Sequence, residues 1–113
     1  METERIRQFQ ELIALEPDDT VLRFGLGELY IEAGDFAGAA EQFAEIVRLD
    51  PQYSAAYRYL GQAYTALDRP QEAVEVFQRG IAVAEARGDL QTAKEMGVFL
   101  RRLQKQTPCS TRA

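Results

Sequence analysis

The chain has 113 residues, of which 46% are apolar and 27% are charged, a balance typical of one globular domain with a modest core. Its formal net charge of -5 and its lack of a basic cluster argue against binding to nucleic acid or to an anionic membrane, because such partners require Lys and Arg to neutralise phosphates. The single cysteine excludes an intramolecular disulfide, and the lack of histidine removes the commonest general base and metal ligand.

The first predicted helix covers Glu2–Leu15. Its apolar residues recur at helical spacing on one face, namely Ile6, Phe9, Leu12 and Ile13. Pro17 ends the helix, because proline lacks a backbone N–H and disfavours helical geometry in the residue before it. Glu2 and Glu4 argue against a signal peptide, and no stretch approaches the roughly 20 apolar residues of a membrane span. We therefore expect a cytoplasmic protein without a membrane partner.

Helix two is predicted over Asp19–Ala33 and helix three over Phe36–Leu49. The side-chain oxygens of residues 18–20 and of Asp35 can cap the N-termini of these helices, and Gly34 can adopt the left-handed conformation that ends helix two. Gly27 lies inside helix two, where glycine costs about 1 kcal/mol relative to alanine. We therefore predict that a neighbouring helix approaches closely at this glycine.

Helix four is predicted over Tyr53–Leu67, helix five over Pro70–Arg87 and helix six over Leu90–Leu103. Proline suits the first turn of helix five, and Gly88 with Asp89 separates the last two helices. Helix six has one apolar and one charged face, which a stack of helices requires at its end. Residues 105–113 lack periodicity and are predicted to form a flexible tail.

A repeat with a period of about 34 residues runs through the chain. Its clearest trace is one pattern that occurs twice, as Leu26-Gly27-x-x-Tyr30 and as Leu60-Gly61-x-x-Tyr64. Other residues return at the same spacing: Ala39 as Ala73, Phe43 as Phe77, and Pro17 as Pro51. A fixed period of this size is typical of stacked supersecondary units, each of which buries its apolar face against its neighbours.

These repeated residues resemble the tetratricopeptide repeat, a helix-turn-helix unit of about 34 residues. The resemblance implies an all-α fold, a right-handed α-solenoid of antiparallel helix pairs. Its parts are a half repeat (1–17), repeat one (18–52), repeat two (53–87) and a capping helix (88–104). The chain departs from the family pattern at Arg23 and Tyr57, where the family favours tryptophan, and at Glu85, where it has a closing proline.

The resemblance also implies that the first helix of each repeat lines a concave groove that binds a peptide or a protein. The implied groove residues are Val21, Phe24, Glu28, Ile31 and Glu32 of helix two, and Ala55, Arg58, Gln62 and Thr65 of helix four. Aromatic and Arg side chains such as Phe24 and Arg58 often dominate the energetics of an interface. As alternatives, Phe24 packs against helix one, and Arg58 is a solvated charge that pairs with Gln62 or Glu28.

The partner is expected to be a protein or an extended peptide. One branch of the family binds the acidic C-terminal peptides of heat-shock chaperones through a carboxylate clamp of Lys and Asn. The matching positions hold Phe24, Glu28 and Tyr59, so we predict against that ligand and favour a basic or mixed-charge segment. The alternative is a self-associating scaffold: helix one lacks the helix that would precede it, and its apolar face can join two copies as a homodimer.

The sequence predicts neither catalysis nor a cofactor or metal site. Cys109 has no histidine to activate its thiol. Gly25 and Gly27 form a GxG pattern inside a helix rather than after a strand, which argues against a dinucleotide site. The acidic pair Asp18-Asp19 fits a helix cap better than a catalytic dyad.

Overall fold

A computed structural model describes residues 2–106, and its regular structure within that range consists of α-helices. They are α1 (Glu2–Leu15), α2 (Thr20–Glu32), α3 (Phe36–Leu49), α4 (Ser54–Ala66), α5 (Pro70–Arg87) and α6 (Leu90–Gln106). Each helix packs on the next one along the chain, and α4 also contacts α6. The resulting stack measures 46 × 29 × 21 Å. The predicted all-α solenoid is confirmed.

The predicted helix bounds hold to within one residue, except at the end of α6. The sequence pattern ended this helix at Leu103, but the helix continues to Gln106, so the predicted start of the flexible tail is wrong. Leu103 is buried against α5 and belongs to the core, which anchors the last turn of the helix. The rest of the predicted tail, including Cys109, lies outside the described residues.

The turns between paired helices use a left-handed backbone conformation. Gly34 follows α2 with φ of 81°, and Gly88 follows α5 with φ of 78°. Asp68 follows α4 with φ of 60° and takes the place of Gly34 one repeat later. Aspartate is among the few side chains that tolerate this conformation, so the repeat survives the loss of its glycine.

Two aspartates cap helix N-termini as predicted. Asp19 accepts a hydrogen bond from the Leu22 N–H at 3.1 Å, and Asp35 accepts one from the Gly38 N–H at 2.9 Å. Each carboxylate thereby satisfies a backbone donor that has no partner inside its own helix. These caps fix where α2 and α3 begin.

Two glycines at equivalent positions of the repeats, Gly27 and Gly61, allow the paired helices to approach closely. A Cβ atom added at Gly27 would lie 2.6 Å from the Phe43 ring, and one added at Gly61 would lie closer still to the Phe77 ring. Such distances are far below van der Waals contact, so only glycine fits. The prediction of a close helix approach at Gly27 is confirmed, and the same glycine–phenylalanine contact recurs in the second repeat.

Arg23 and Tyr57, which stand where the family favours tryptophan, make the same contact in successive repeats. The Arg23 Nε–H donates a hydrogen bond to the Pro17 carbonyl oxygen at 2.8 Å, and the Tyr57 hydroxyl donates one to the Pro51 carbonyl oxygen, also at 2.8 Å. Both bonds tie the first helix of a repeat to the proline turn before it. Arginine and tyrosine, although chemically unlike, therefore donate to equivalent backbone carbonyl oxygens in the two repeats.

Asp89 links the start of α6 to α4 and gives the fold a pH-sensitive contact. Its carboxylate accepts hydrogen bonds from the Ser54 hydroxyl at 2.7 Å and from the Thr92 N–H at 3.4 Å. These bonds, with the Ser54 bond the strongest cause, hold the pKa of Asp89 below its ordinary value of 3.8. A lowered carboxyl pKa stabilises the fold above the ordinary value, and the contribution is lost as the pH falls through the folded-state pKa.

We expect Asp89→Asn to lower the melting temperature at pH 7. The difference from wild type should begin to shrink near pH 4, where Asp89 of the unfolded chain takes up a proton, and it should vanish below the lower folded-state pKa. Thermal melts of both proteins between pH 7 and pH 3 test this. Asp18→Asn, at an exposed position away from this contact, serves as the control. A difference that stays constant across the pH range would contradict the role given to the Asp89 charge.

Candidate functional site

The predicted groove residues of α2 differ in exposure. Val21 is 73% exposed, and Glu28 and Glu32 also lie on the surface. Ile31 is half-buried and packs against the apolar core formed by α3 and α4. The α2 side of the predicted groove therefore presents one apolar side chain and two carboxylates to solvent.

An aromatic cluster joins α2 to the following two helices, and it consists of Phe24, Phe43, Tyr53 and Tyr59. The Phe24 ring stacks on Tyr53 with the ring centroids 5.5 Å apart, and it meets Phe43 and Tyr59 edge to face at 5.2 Å. Phe43 in turn stacks on Tyr59 at 5.1 Å. Such arrangements stabilise a structure beyond the apolar area that they bury. Phe24 therefore has a structural role while remaining half-buried.

The alternative reading of Phe24, in which it packs against helix one, is wrong. Its ring contacts lie on α3, on α4 and on Tyr53, which precedes α4. The residue that faces helix one is Gly25, where an added Cβ atom would lie 2.7 Å from the Phe9 ring. Adjacent residues on a helix point about 100° apart, so the sequence pattern assigned the contact to the wrong neighbour.

Glu28 places a negative charge at the rim of the aromatic cluster. The Tyr59 hydroxyl donates a hydrogen bond to the Glu28 carboxylate at 3.5 Å, across the gap between α2 and α4. Burial raises the pKa of Tyr53, and the charges of Glu28 and Asp50 raise it further. The surface between these helices is therefore both aromatic and electronegative, which suits a cation.

Arg58 is engaged within the protein, and its predicted pairing with Gln62 or Glu28 is wrong. The Arg58 Nε atom lies 3.3 Å from a carboxylate oxygen of Glu95 on α6, and the guanidinium lies 4.5 Å from the centroid of the Tyr59 ring. The reason is that α6 packs beside α4 and brings Glu95 within reach. Arg58 thus cross-links two helices as well as lining the surface.

A cavity opens between α4 and α6, with a volume of about 320 Å³. It is lined by Gln62, Thr65, Ala66, Phe77, Phe99, Arg102, Leu103 and Gln106. Gln62 and Thr65 are predicted groove residues. The rings of Phe77 and Phe99 stack at 5.7 Å, and the Arg102 guanidinium lies 6.0 Å from the centroid of the Phe99 ring. We call this space the α4–α6 cavity.

Sequence reasoning missed the contribution of α6 to this surface. Phe99 stacks on Phe77 as Tyr59 stacks on Phe43, which makes Phe99 the counterpart of Tyr59, although it lies further along the chain than the repeat period places it. The longer α5, with 18 residues against 14 in α3, is partly offset by a shorter turn after it, so α6 begins only two residues later than the period places it. Phe99 is displaced further, because it also lies about one helical turn deeper in α6 than Tyr59 does in α4. The sequence pattern predicted the start of α6 at Leu90 correctly, but it did not assign Phe99 to the packed face of that helix.

The charges of the chain are unevenly distributed. Helix α6 holds four of the 13 basic side chains and one of the 18 acidic ones. Its basic residues are Lys94, Arg101, Arg102 and Lys105. Within residues 2–106, Arg102 makes no ion pair with a carboxylate, and it borders the cavity. Exposed carboxylates therefore lie on α2, while Arg102 of α6 borders the cavity.

No helix between residues 2 and 106 is long and apolar enough to cross a bilayer. The part of the chain that the structure describes also contains no group of three or more Cys, Asp or Glu side chains that could hold a metal ion.

Comparison with known proteins identifies the repeat. The sequence model described as "Tetratricopeptide repeat" matches residues 6–54 and 24–89. A TPR repeat-containing protein of Pseudomonas aeruginosa is 41% identical over 100 residues, which cover 88% of this chain and 95% of that protein. A Bordetella parapertussis protein of known solution structure is 34% identical, with a TM-score of 0.77, and the match covers 89% of this chain and 88% of that one.

Fold similarity extends to more distant structures. The TPR2B domain of yeast Sti1, in a complex with pHsp70, has a TM-score of 0.84 over 93% of this chain and 84% of that one. Its sequence identity of 16% means that this likeness concerns the fold alone. The repeat pattern, the glycine–phenylalanine contacts and the match over residues 6–89 agree, and the chain belongs to the tetratricopeptide repeat family.

Proposed function

We propose that this chain is a non-catalytic interaction module that binds an extended peptide or protein segment across α2, α4 and α6. The observation that carries the proposal is the α4–α6 cavity, which Gln62 and Thr65 line together with two stacked phenylalanines. A concave apolar pocket with a few polar groups is the usual form of a binding site. We also propose that this adaptor acts in the cytoplasm. Imaging of a fluorescent fusion protein in cells tests this location.

Family and fold support this proposal. Proteins with this fold are generally interaction modules without catalytic activity. The yeast domain in complex with pHsp70 and a Spaghetti (RPAP3) domain bound to an HSP90 peptide share the fold of this chain. The acidic C-terminal tails of chaperones are excluded from the proposal, because Glu28 and Glu32 would repel their carboxylates from the α2 side of the groove.

Phe24→Ala tests the groove. We expect at least a tenfold loss of affinity for a peptide selected from a displayed library of random 12-residue peptides, because the substitution removes an aromatic anchor. The stability cost should be roughly 1–2 kcal/mol, since the side chain is only half-buried. Fluorescence anisotropy gives the affinity, and thermal melting shows that the variant is folded at the assay temperature.

Leu12→Ala is the control for this measurement, because Leu12 is 46% exposed on α1 and lies outside the groove. Its affinity should match that of the wild type. Equal affinities for Phe24→Ala and wild type would reject the proposed groove, because binding would then not extend to α2. A stability loss of about 4 kcal/mol or more would instead assign Phe24 to the core.

Self-association through α1 is the second candidate, and exposed leucines favour it. Leu15 is 76% exposed beside the half-exposed Leu12, while Ile13 is buried and Phe9 is half-buried against Gly25. An uncovered apolar patch is a common mark of an interface. Light scattering over a concentration series decides: a mass that doubles from 12.7 kDa supports a homodimer, and a constant mass rejects it.

A further inference from the structure

The charged side chains of the groove are separated by helix. Glu28 and Glu32 lie one turn apart on the exposed surface of α2, and the contact from the Tyr59 hydroxyl shows that Glu28 faces α4. Arg102 borders the α4–α6 cavity on the other side of the groove. Between them, α4 presents the uncharged Gln62 and Thr65. The groove therefore has a direction, acidic at one side and basic at the other.

The remaining charges near the groove do not cancel this direction. Arg58 is paired with Glu95, so these two charges largely neutralise each other. No carboxylate among residues 2–106 pairs with Arg102, whose guanidinium lies near the face of Phe99. An arginine with free donors at the edge of an apolar pocket is well placed to bind a carboxylate, because it offers two parallel N–H groups.

The α4–α6 cavity supplies an apolar subsite beside that arginine. The rings of Phe77 and Phe99 form part of its wall, and its volume of about 320 Å³ is enough for one large apolar side chain. A ligand that fills it would place its neighbouring residue next to Arg102. Apolar and acidic determinants of the ligand are therefore expected to be adjacent.

We propose, on the basis of the groove assigned above, that the ligand is an extended segment with separated charges and one apolar anchor. Its basic part lies over Glu28 and Glu32, its apolar side chain enters the α4–α6 cavity, and its acidic part pairs with Arg102. Neighbouring helices pack 8–10 Å apart, so α2 and α6 are on the order of 20 Å apart with α4 between them. An extended chain advances about 3.3 Å per residue, which separates the two charged parts by about six residues.

Selection from a phage-displayed library of random 12-residue peptides tests the proposal. Against the wild-type protein, we expect enrichment of peptides whose basic and acidic residues are separated by about six positions, with an apolar residue next to the acidic ones. A synthetic copy of an enriched peptide should bind Arg102→Glu at least tenfold more weakly than wild type. Arg102→Gln, which removes the charge without reversing it, should give a smaller loss and serves as a second variant.

Arg101→Glu is the matched control. It makes the same change of charge at the next residue of α6, but Arg101 lies on a different depression, lined also by Leu90 and Val98, at the end of the stack. The affinity of this variant should stay within about twofold of wild type. Equal losses of affinity for Arg101→Glu and Arg102→Glu would overturn the proposal. They would show that the loss comes from long-range electrostatics, which does not depend on which side of the helix carries the changed charge.

The outcomes separate this proposal from the function on which it rests. If enriched peptides lose affinity with Phe24→Ala but show no charge separation, or if an all-acidic peptide of equal length binds equally well, the groove stands and the directional ligand is rejected. If no peptide is enriched, or if enriched peptides are indifferent to Phe24→Ala, both proposals fail. Loss of affinity confined to the Arg102 and Phe24 variants supports both.

Discussion

Replacing Gly61 with leucine is expected to destabilise the domain by roughly 3 kcal/mol or more, at the upper end of the cost of overpacking a core. The new Cβ atom would overlap the Phe77 ring, which is fully buried. That ring cannot move aside freely, because Phe99 stacks on it from α6 at 5.7 Å. The melting temperature should fall by at least about 12 °C, at roughly 4–8 °C per kcal/mol for a domain of this size.

Gly97→Leu provides the matched control. Gly97 also lies inside a helix, but an added Cβ atom would have only the Arg101 guanidinium as a neighbour, at 3.7 Å. Replacing a helical glycine without a clash should be neutral or stabilising by up to about 1 kcal/mol. Circular dichroism melts of both variants measure the contrast. Similar melting temperatures for Gly61→Leu and wild type would show that α4 and α5 can separate at little cost.

The fold was predictable because the repeat constrains several features at once. A glycine inside one helix and a phenylalanine in the next recur together at the same spacing, as Gly27 with Phe43 and as Gly61 with Phe77, and both pairs are in contact. Each match alone is weak, but their common spacing predicts both the helices and the way in which they pack. The caps at Asp19 and Asp35 were predictable for a similar reason, since capping depends on local geometry.

The candidate site was less predictable, because it depends on the one place where the period changes. Helix α5 is longer than α3 and the turn after it is shorter, so α6 begins two residues later than the period places it, and the pairing of Arg58 with Glu95 cannot be read from the repeat period. Helix α6 therefore looked like a cap with a solvated charged face, whereas Phe99 and Arg102 line the cavity. The changed period therefore leaves the contacts of α6 unspecified by the repeat, although the start of this helix at Leu90 was predicted.

Phe43→Ala is expected to cost about 3–5 kcal/mol, the usual range for deleting a buried phenylalanine side chain. The side chain is 0% exposed and joins α3 to two other helices: it packs on Gly27 of α2 and stacks on Tyr59 of α4. Its removal leaves a cavity that the rigid helix pairs cannot close. Denaturant unfolding followed by circular dichroism gives the free energy, and Leu15→Ala, on the exposed side of α1, should change it by less than about 0.5 kcal/mol.

The same variant tests why Gly27 must be glycine. In the wild-type background, Gly27→Ala should be destabilising, because its methyl group would lie 2.6 Å from the Phe43 ring. With Phe43→Ala already present, the methyl group enters vacated space, and alanine regains up to about 1 kcal/mol of helix propensity. The two substitutions should therefore couple by at least about 1 kcal/mol in a double-mutant cycle. Additive effects would mean that Gly27 is required for a reason other than this ring, and the explanation of the repeated glycine would have to change in both repeats.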